Sequence, residues 1–234
     1  MRHADKAGRL RGIRILHEDP DVIVIGKPAG LLVQALRHGH EPSVEAILTD
    51  YVRKGQWKSR KQVYLVHRLD RETSGVMVVA KTEAVQDYFR SNWNELTEKT
   101  YLARVEGALE TEAGVFESYL YEDADLFVRS TTDQARGKYA RTEWKVLATD
   151  AATTLAEATL KTGRRNQIRV QFADAGHPVV GDAKYGHGTR GQALCLHAWK
   201  LAFIHPHTRR RAAFEMPPPP FARVPGITSP GDAT

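Results

Sequence analysis

Apolar positions along this 234-residue chain follow two periods, alternation in some stretches and recurrence every third or fourth residue in others. Residues 13–30, IRILHEDPDVIVIGKPAG, read as two short strands around the turn Glu18–Asp21, ending in a Lys-Pro-Ala-Gly loop. After Pro42, the residues Val44, Ile47, Leu48, Tyr51 and Val52 fall at i, i+3, i+4, i+7 and i+8, which predicts an amphipathic helix ended by Gly55. Strands are predicted at 63–66, 76–80 and 99–106, with a helix near 83–92. Several strands follow between 115 and 161, among them RTEWKVLA and TTLAEATL, and then a helix from Asn166 closed by Gly176. LHAWKLAFIHP and RRAAFEMP read as a final hairpin pair, and Pro217–Pro220 ends the regular structure. With no repeat and no linker-like stretch, the pattern predicts an α+β fold. Its expected form is a single catalytic domain over residues 13–216, built on a mixed, mostly antiparallel β-sheet with flanking helices and loops. Residues 1–12 are expected to be a flexible N-terminal segment, and 217–234 a Pro-rich, disordered tail.

Composition narrows this picture only a little. The single cysteine, Cys195, rules out an internal disulfide and fits a reducing compartment. The N-terminus lacks the apolar core of a signal peptide, and no run of about 18 apolar residues offers a membrane span. The expectation is therefore a cytoplasmic protein without membrane contact. Charge adds more. The net charge is +6, and residues 53–71 carry Arg53, Lys54, Lys58, Arg60, Lys61, Arg68 and Arg71 against one acid, Asp70. LKTGRRNQIRVQ adds Lys161, Arg164, Arg165 and Arg169 with no acid, and a third basic run is RRR at 209–211. Residues 94–125 instead hold nine acids and only two bases, Lys99 and Arg104. One basic side and one acidic side is the simplest picture, and it tilts the reading toward a nucleic-acid face.

Two motifs are set aside. GHGTRG at 186–191 matches G-x-G-x-x-G, but a dinucleotide site needs that turn to leave a strand and open a helix, whereas here turn-forming residues precede it and a strand follows. His38/His40 and His205/His207 are both H-x-H pairs with no carboxylate or cysteine cluster near them in sequence, so no metal is expected.

The chemistry concentrates in HRLDRETSG, residues 67–75, directly before the apolar run VMVVA. Asp70 lies between Arg68 and Arg71 at the mouth of a buried strand. A solvated turn aspartate is the bland reading. The alternative is a carboxylate kept ionised by cations, suited to act as nucleophile or base rather than as acid. A glycosidase would need a second carboxylate as proton donor, and Glu72, the nearest, reads as a turn residue. Leu69 reads as a core anchor that turns Arg68 and Asp70 the same way.

HRLDRETSG resembles the active-site signature of the RluA-type pseudouridine synthases, H-R-L-D-x-x-T-S-G. Four more segments resemble that family in the expected order: KPAGLLV at 27–33, KTYLARVEG at 99–107, KTGRRNQIRVQFADAGHPVVGDAKYG at 161–186 and LHAWKLAFIHPHT at 196–208. The likeness spans roughly residues 13–216. It implies isomerisation of uridine to pseudouridine in RNA without a cofactor, on a base flipped out of its stack. Asp70 matches the essential carboxylate, which adds to C1′ or abstracts a sugar proton to give a glycal. Tyr101 matches the aromatic that packs on the target base, and Arg169 the basic residue that pairs with the aspartate. Arg68 matches an arginine that fills the gap left by the uridine. Lys58, Arg60, Lys61, Arg71, Arg164, Arg165 and Asn166 complete the expected RNA contacts.

Arg165 and Asn166 stand where the family commonly has Thr and His, and Asn cannot titrate or stack as His would. With the first predicted strand at residue 13, no S4-type RNA-binding domain is expected, so a monomer that reads a stem-loop of ribosomal or transfer RNA is the partner reading. Two other classes stay open: an RNA-binding or RNA-folding protein that has lost catalysis, and a nucleoside or glycoside hydrolase.

Overall fold

The computed structural model describes residues 10–35, 41–56, 58–189 and 191–223. Among these residues are eleven β-strands and three α-helices, and the ladders described below are antiparallel, in keeping with the mostly antiparallel sheet expected. The sequence reading drew one domain over 13–216. The chain gathers into two compact units, one running to Thr97 and taking in Lys200–Met216, the other comprising Glu98–Trp199 and the chain from Pro217.

In the first unit β1 (Arg14–Glu18) pairs with β2 (Val22–Lys27), and β2 with β4 (Ser74–Ala80). Two-residue β3 (Tyr64–Leu65) pairs with the end of β4. The apolar runs VIVI and VMVVA have no polar alternation because both faces of these strands are buried. Helix α1 (Val44–Arg53) begins at Ser43, whose side chain accepts the Ala46 N–H at 3.3 Å, and ends at Lys54 in the left-handed region at φ 53°. Helix α2 (Glu83–Leu96) is capped by Thr82, but Asn92 breaks it with φ −143° and ψ 35°, at the limit the periodicity predicted. Val85 and Phe89 of α2 pack with Val22, Val24, Val76, Val78, Leu201 and Phe203. The predicted final hairpin forms between β10 (Leu196–Ile204) and β11 (Arg211–Glu215).

In the second unit β5 (Thr97–Glu106), β9 (Thr153–Leu160), β8 (Lys138–Thr149), β6 (Ala113–Glu122) and β7 (Val128–Thr131) lie side by side in that order. Helix α3 (Gln167–Asp174) inserts Ile168 and Phe172 into a core with Ala103, Val105, Trp144, Ala156 and Ala158. Part of the stretch read as a disordered tail is folded here. Pro220–Ala222 form a 3₁₀ turn, Ala222 is buried with Leu102, Leu155 and Trp199, and Arg104 Nε donates to the Phe221 carbonyl at 2.8 Å. Prolines end the strand pairing without preventing apolar side chains beyond them from packing. Residues 1–9 and 224–234, the rest of the two terminal segments, lie outside the described residues.

The glycines of GHGTRG serve close packing. A Cβ at Gly188 would stand 2.4 Å from the Gly181 carbonyl carbon, and one at Gly186 2.7 Å from Pro178 Cβ. The described part of the segment is irregular and opens no helix. Among the described residues, no helix is long and apolar enough to cross a membrane.

Candidate active site

Asp70 sits on the irregular loop between β3 and β4. Tyr64 and Leu65 pair with Ala80 and Val79, and the next N–H along β4, that of Val78, is taken by Nε2 of His67 at 3.1 Å. The imidazole thus ends the ladder in place of a carbonyl and turns the chain out toward Asp70. Its ring stacks on Trp93 of α2, with centroids 4.6 Å apart. Leu69 is 5% exposed and anchors the loop, with Arg68 exposed and Asp70 partly buried on either side. Beyond Asp70 the Thr73 N–H closes a turn onto the Asp70 carbonyl at 3.2 Å. Gly75, opposite Lys27 in the β2–β4 ladder, has φ 124°, a conformation L side chains rarely adopt.

A second loop, Lys27–Leu31, braces the first. The Arg71 carbonyl accepts the Gly30 N–H at 2.8 Å and Lys27 Nζ at 2.9 Å, while Arg71 Nε donates to the Gly30 carbonyl at 3.1 Å. Lys27 is 1% exposed. Burial pulls its ammonium down to about 8, with the carboxylates of Glu72 and Asp70 opposing.

In the second unit β5 alternates, so Lys99 and Tyr101 share the face of Ala103 and Val105, against which α3 packs. Lys99 is buried, and burial, followed by the charge of Arg164, pulls its ammonium down to about 8. Helix α3 is buried almost all round. Gln167 donates to Thr142 Oγ1 at 2.9 Å and to the Arg141 carbonyl at 3.1 Å, and one turn later Gln171 accepts from Thr142 Oγ1 at 2.6 Å. These bonds fix the helix, and Arg169 projects into a fork with Asp182: Nε to Oδ2 and Nη2 to Oδ1, both at 2.7 Å. Asp182 is fully buried and also accepts the N–H groups of Lys184 and Tyr185. Burial works to raise its carboxyl, but these bonds and the guanidinium outweigh it and hold the pKa low.

The residues expected to touch RNA divide into two groups. Arg68, Lys58, Arg60 and Lys61 are exposed, and the loop holding the last three is tied to α1 by Arg53 Nε on the Lys61 carbonyl. For the others the structure shows contacts within the protein, several of them at its surface. Arg71 pairs with Glu41 at 3.2 Å, Arg165 with Glu122 at 2.6 Å, and Arg164 Nε donates to the Tyr139 carbonyl. Asn166 is 9% exposed, caps α3 in the left-handed region at φ 52°, and accepts the Tyr185 hydroxyl at 3.1 Å. Its side-chain oxygen is thus engaged within the protein at the start of α3. The separate acidic and basic sides do not hold at Arg165 and Arg141, which pair with Glu122 and with Glu117 and Glu143.

Lys27, Lys99 and Asp182 are the residues the sequence reading missed. A lysine at period-two spacing from Tyr101 was the available signal for Lys99. Lys27 and Asp182 lie within segments that carry the resemblance, but the long-range bonds of Lys27 to the Arg71 carbonyl and of Asp182 to Arg169 had no signal in the sequence. The expectation that no carboxylate lies near His205 is also corrected. Asp19 Oδ2 meets His205 Nε2 at 2.9 Å and His17 Nε2 at 2.8 Å, with Asp21 alongside. These groups make a poor ion site. His205 Nδ1 accepts the N–H groups of His207 and Thr208, which places the ring proton on Nε2, facing Asp19. His38 and His40 lie outside the described residues.

Comparison with known proteins gives the family. The sequence model of the family described as RNA pseudouridylate synthase matches residues 21–174. The chain is 36% identical over 219 residues to ribosomal large subunit pseudouridine synthase D of Nitrosomonas europaea, covering 88% of this chain and 62% of that protein. It is 33% identical to the dual-specificity RNA pseudouridine synthase RluA of Vibrio vulnificus, covering 82% and 78%. The chain thus spans about three-fifths of the length of the synthase D relatives it matches. Among solved structures, human RNA pseudouridylate synthase domain containing 4 superposes with a TM-score of 0.71 at 26% identity, covering 94% of this chain and 93% of that one.

Proposed function

Because the chain belongs to the RNA pseudouridylate synthase family, we propose that it isomerises specific uridines to pseudouridine in structured RNA, with Asp70 as the reacting carboxylate. The observation that carries this reading is the loop of HRLDRETSG. It presents a partly buried carboxylate between braced segments, next to an exposed Arg68, in the unit that also exposes Lys58, Arg60 and Lys61.

The reaction breaks N1–C1′, turns the base, and joins C5 to C1′. Asp70 acts at the sugar, either adding to C1′ or removing a C2′ proton. Tyr101 packs on the base and assists loss of the C5 proton. Arg169, oriented by Asp182, serves as the cationic partner of the carboxylate. Arg68 occupies the space the flipped uridine leaves. No step calls for a cofactor. The substrate class is a stem-loop of ribosomal or transfer RNA, met by a monomer in the cytoplasm. Synthase D relatives are named for the large ribosomal subunit, which makes ribosomal RNA the first substrate to try.

The test is incubation of wild type and Asp70→Asn with uridine-labelled RNA. Wild type should give pseudouridine with the base retained. The variant should fold and bind RNA, yet lose activity by at least about a thousandfold, as expected when a covalent or proton-transfer step loses its group. Unchanged RNA with wild type would favour an RNA-folding protein, free uracil a hydrolase. Appreciable turnover by folded Asp70→Asn would overturn the assignment of the carboxylate.

A further inference from the structure

Past Asp70, the Arg71 carbonyl oxygen takes two donors from the Lys27–Leu31 loop, the Gly30 N–H and the Lys27 ammonium. The other two Lys27 protons go to the carbonyls of Pro28 at 2.9 Å and Leu31 at 2.8 Å. All three N–H groups of a buried cation are therefore spent on main-chain oxygens of two loops. Among the described residues no carboxylate contacts Lys27 directly, and Glu72 and Asp70 act on it at longer range. An apolar side chain could fill that space, but it would leave three carbonyls without this donor. The charge itself is costly to bury, and three carbonyls converging on one point call for the three donors of an ammonium.

We propose that Lys27 is a positioning residue for the reaction: its protonated amine ties Pro28 and Leu31 to the Arg71 carbonyl and so sets where the Asp70 carboxylate stands. This rests on the reading of Asp70 given above. A neutral amine has two N–H groups and a lone pair. It can satisfy two of the three carbonyls and must turn its lone pair or lose contact at the third. The sign follows. Below about 8 the ammonium is present and the loop is held, and as pH rises through that value the strap loosens and the rate falls. The charged groups facing Lys27 are the carboxylates of Glu72 and Asp70, and the Arg71 guanidinium is turned to the Gly30 carbonyl and Glu41. Lys99 is also pulled down to about 8, by burial first and then by the charge of Arg164, and the loss of the step in Lys27→Met separates the two.

The experiment is the single-turnover isomerisation rate between pH 6 and 10 for wild type, Glu72→Gln and Lys27→Met, with RNA affinity and circular dichroism alongside. In wild type the rate should fall above about pH 8. Glu72→Gln should keep the plateau rate and move the fall to lower pH, because it removes the carboxylate that favours the ammonium. Lys27→Met should lose about 10- to 100-fold in rate, the scale of a misplacement of about 1 Å, with RNA affinity within about twofold and no step near pH 8. A Glu72→Gln profile that superimposes on wild type overturns the proposal, as does Lys27→Met turning over at the wild-type rate. If Lys27→Met does not fold, the Glu72→Gln profile decides alone. Activity in Asp70→Asn would remove the premise instead. An inactive Asp70→Asn with an unmoved Glu72→Gln profile would remove only the role of Lys27.

Discussion

The loop of Asp70 and the helix of Arg169 are fixed by opposite means. Around Asp70 the brace is made of main-chain atoms, with the Val78 N–H on His67, the Gly30 N–H on the Arg71 carbonyl and the Lys27 ammonium on three carbonyls. Around Arg169 the backbone is already regular, and the brace is a side-chain fork into Asp182. The difference follows from secondary structure. A helix satisfies its own N–H and C=O groups and sets the direction of each side chain, so what remains to be fixed is the long guanidinium arm. An irregular loop has free main-chain groups, and pinning them fixes the backbone from which a short carboxylate projects.

The sharpest way to break this comparison is to remove Asp182. Asp182→Ala leaves a buried guanidinium without its fork and should destabilise the protein by about 3–5 kcal/mol. Urea denaturation checks this, and a loss under about 1 kcal/mol would mean the fork does not hold Arg169. The same pair sets an acid limit. The folded-state carboxyl lies below its usual value, so its contribution is complete above the ordinary carboxylate range and fades as pH falls through the lowered one. Asp182→Asn should flatten the dependence of stability on pH below about 4.

Leu69 is the one apolar anchor inside the signature, and it is 5% exposed. Leu69→Ala should cost about 2–4 kcal/mol. If the main-chain brace holds the loop, the rate measured on the folded fraction should fall much less than in Lys27→Met. Equal losses in both variants would show that packing, not the ammonium, places Asp70.

How far the sequence could be read differs between the same two regions. The strands, the helix from Val44 and the final hairpin followed from periodicity alone, and the resemblance located Asp70, Tyr101 and Arg169. Leu69 was legible as an anchor because its neighbours are charged. Asp182 and Lys27 fell within segments that carry the resemblance, but their roles were not legible, since one decisive partner of each lies more than ten residues away and a buried lysine looks in sequence like any solvated one. The internal contact of Asn166 was equally hidden. A polar residue in a basic run suggests a ligand contact, and neither its left-handed backbone nor the bond from the Tyr185 hydroxyl shows in the local sequence. Asp19 and His205, 186 residues apart, meet only because the β1–β2 and β10–β11 turns come together.

His67 offers a smaller effect with a built-in control. His67→Ala leaves the Val78 N–H without its acceptor and removes the stacking on Trp93, at a cost of about 1–3 kcal/mol. His67→Gln retains an amide oxygen able to accept that bond, and it should recover part of both stability and rate. If Gln recovers nothing, the ring stacking rather than the acceptor matters. Amide hydrogen exchange at Val78 distinguishes these, because only loss of the acceptor should speed it.

The smallest effect tests the comparison at its most exposed point. Arg71 contributes to the brace through its carbonyl, and its side chain reaches Gly30 and Glu41 at the surface, with both partners of the ion pair about half exposed. Such a pair is worth about 0–1 kcal/mol, since water and salt screen it and two long side chains must be ordered to form it. Arg71→Ala keeps the carbonyl that accepts from Lys27 and Gly30, so stability should change by no more than that amount and the alkaline fall in rate should stay where it is. A large loss would mean the loop is held by side chains after all, and the contrast with Arg169 would disappear. The same variant measures the RNA reading independently. If the guanidinium leaves Glu41 for a phosphate when RNA binds, removing it should flatten the dependence of log affinity on log salt by about 0.7–0.9. An unchanged slope would confine Arg71 to the protein and leave Arg68, Lys58, Arg60 and Lys61 as the exposed basic residues of this unit's signature and 58–61 loops to be tested in the same way.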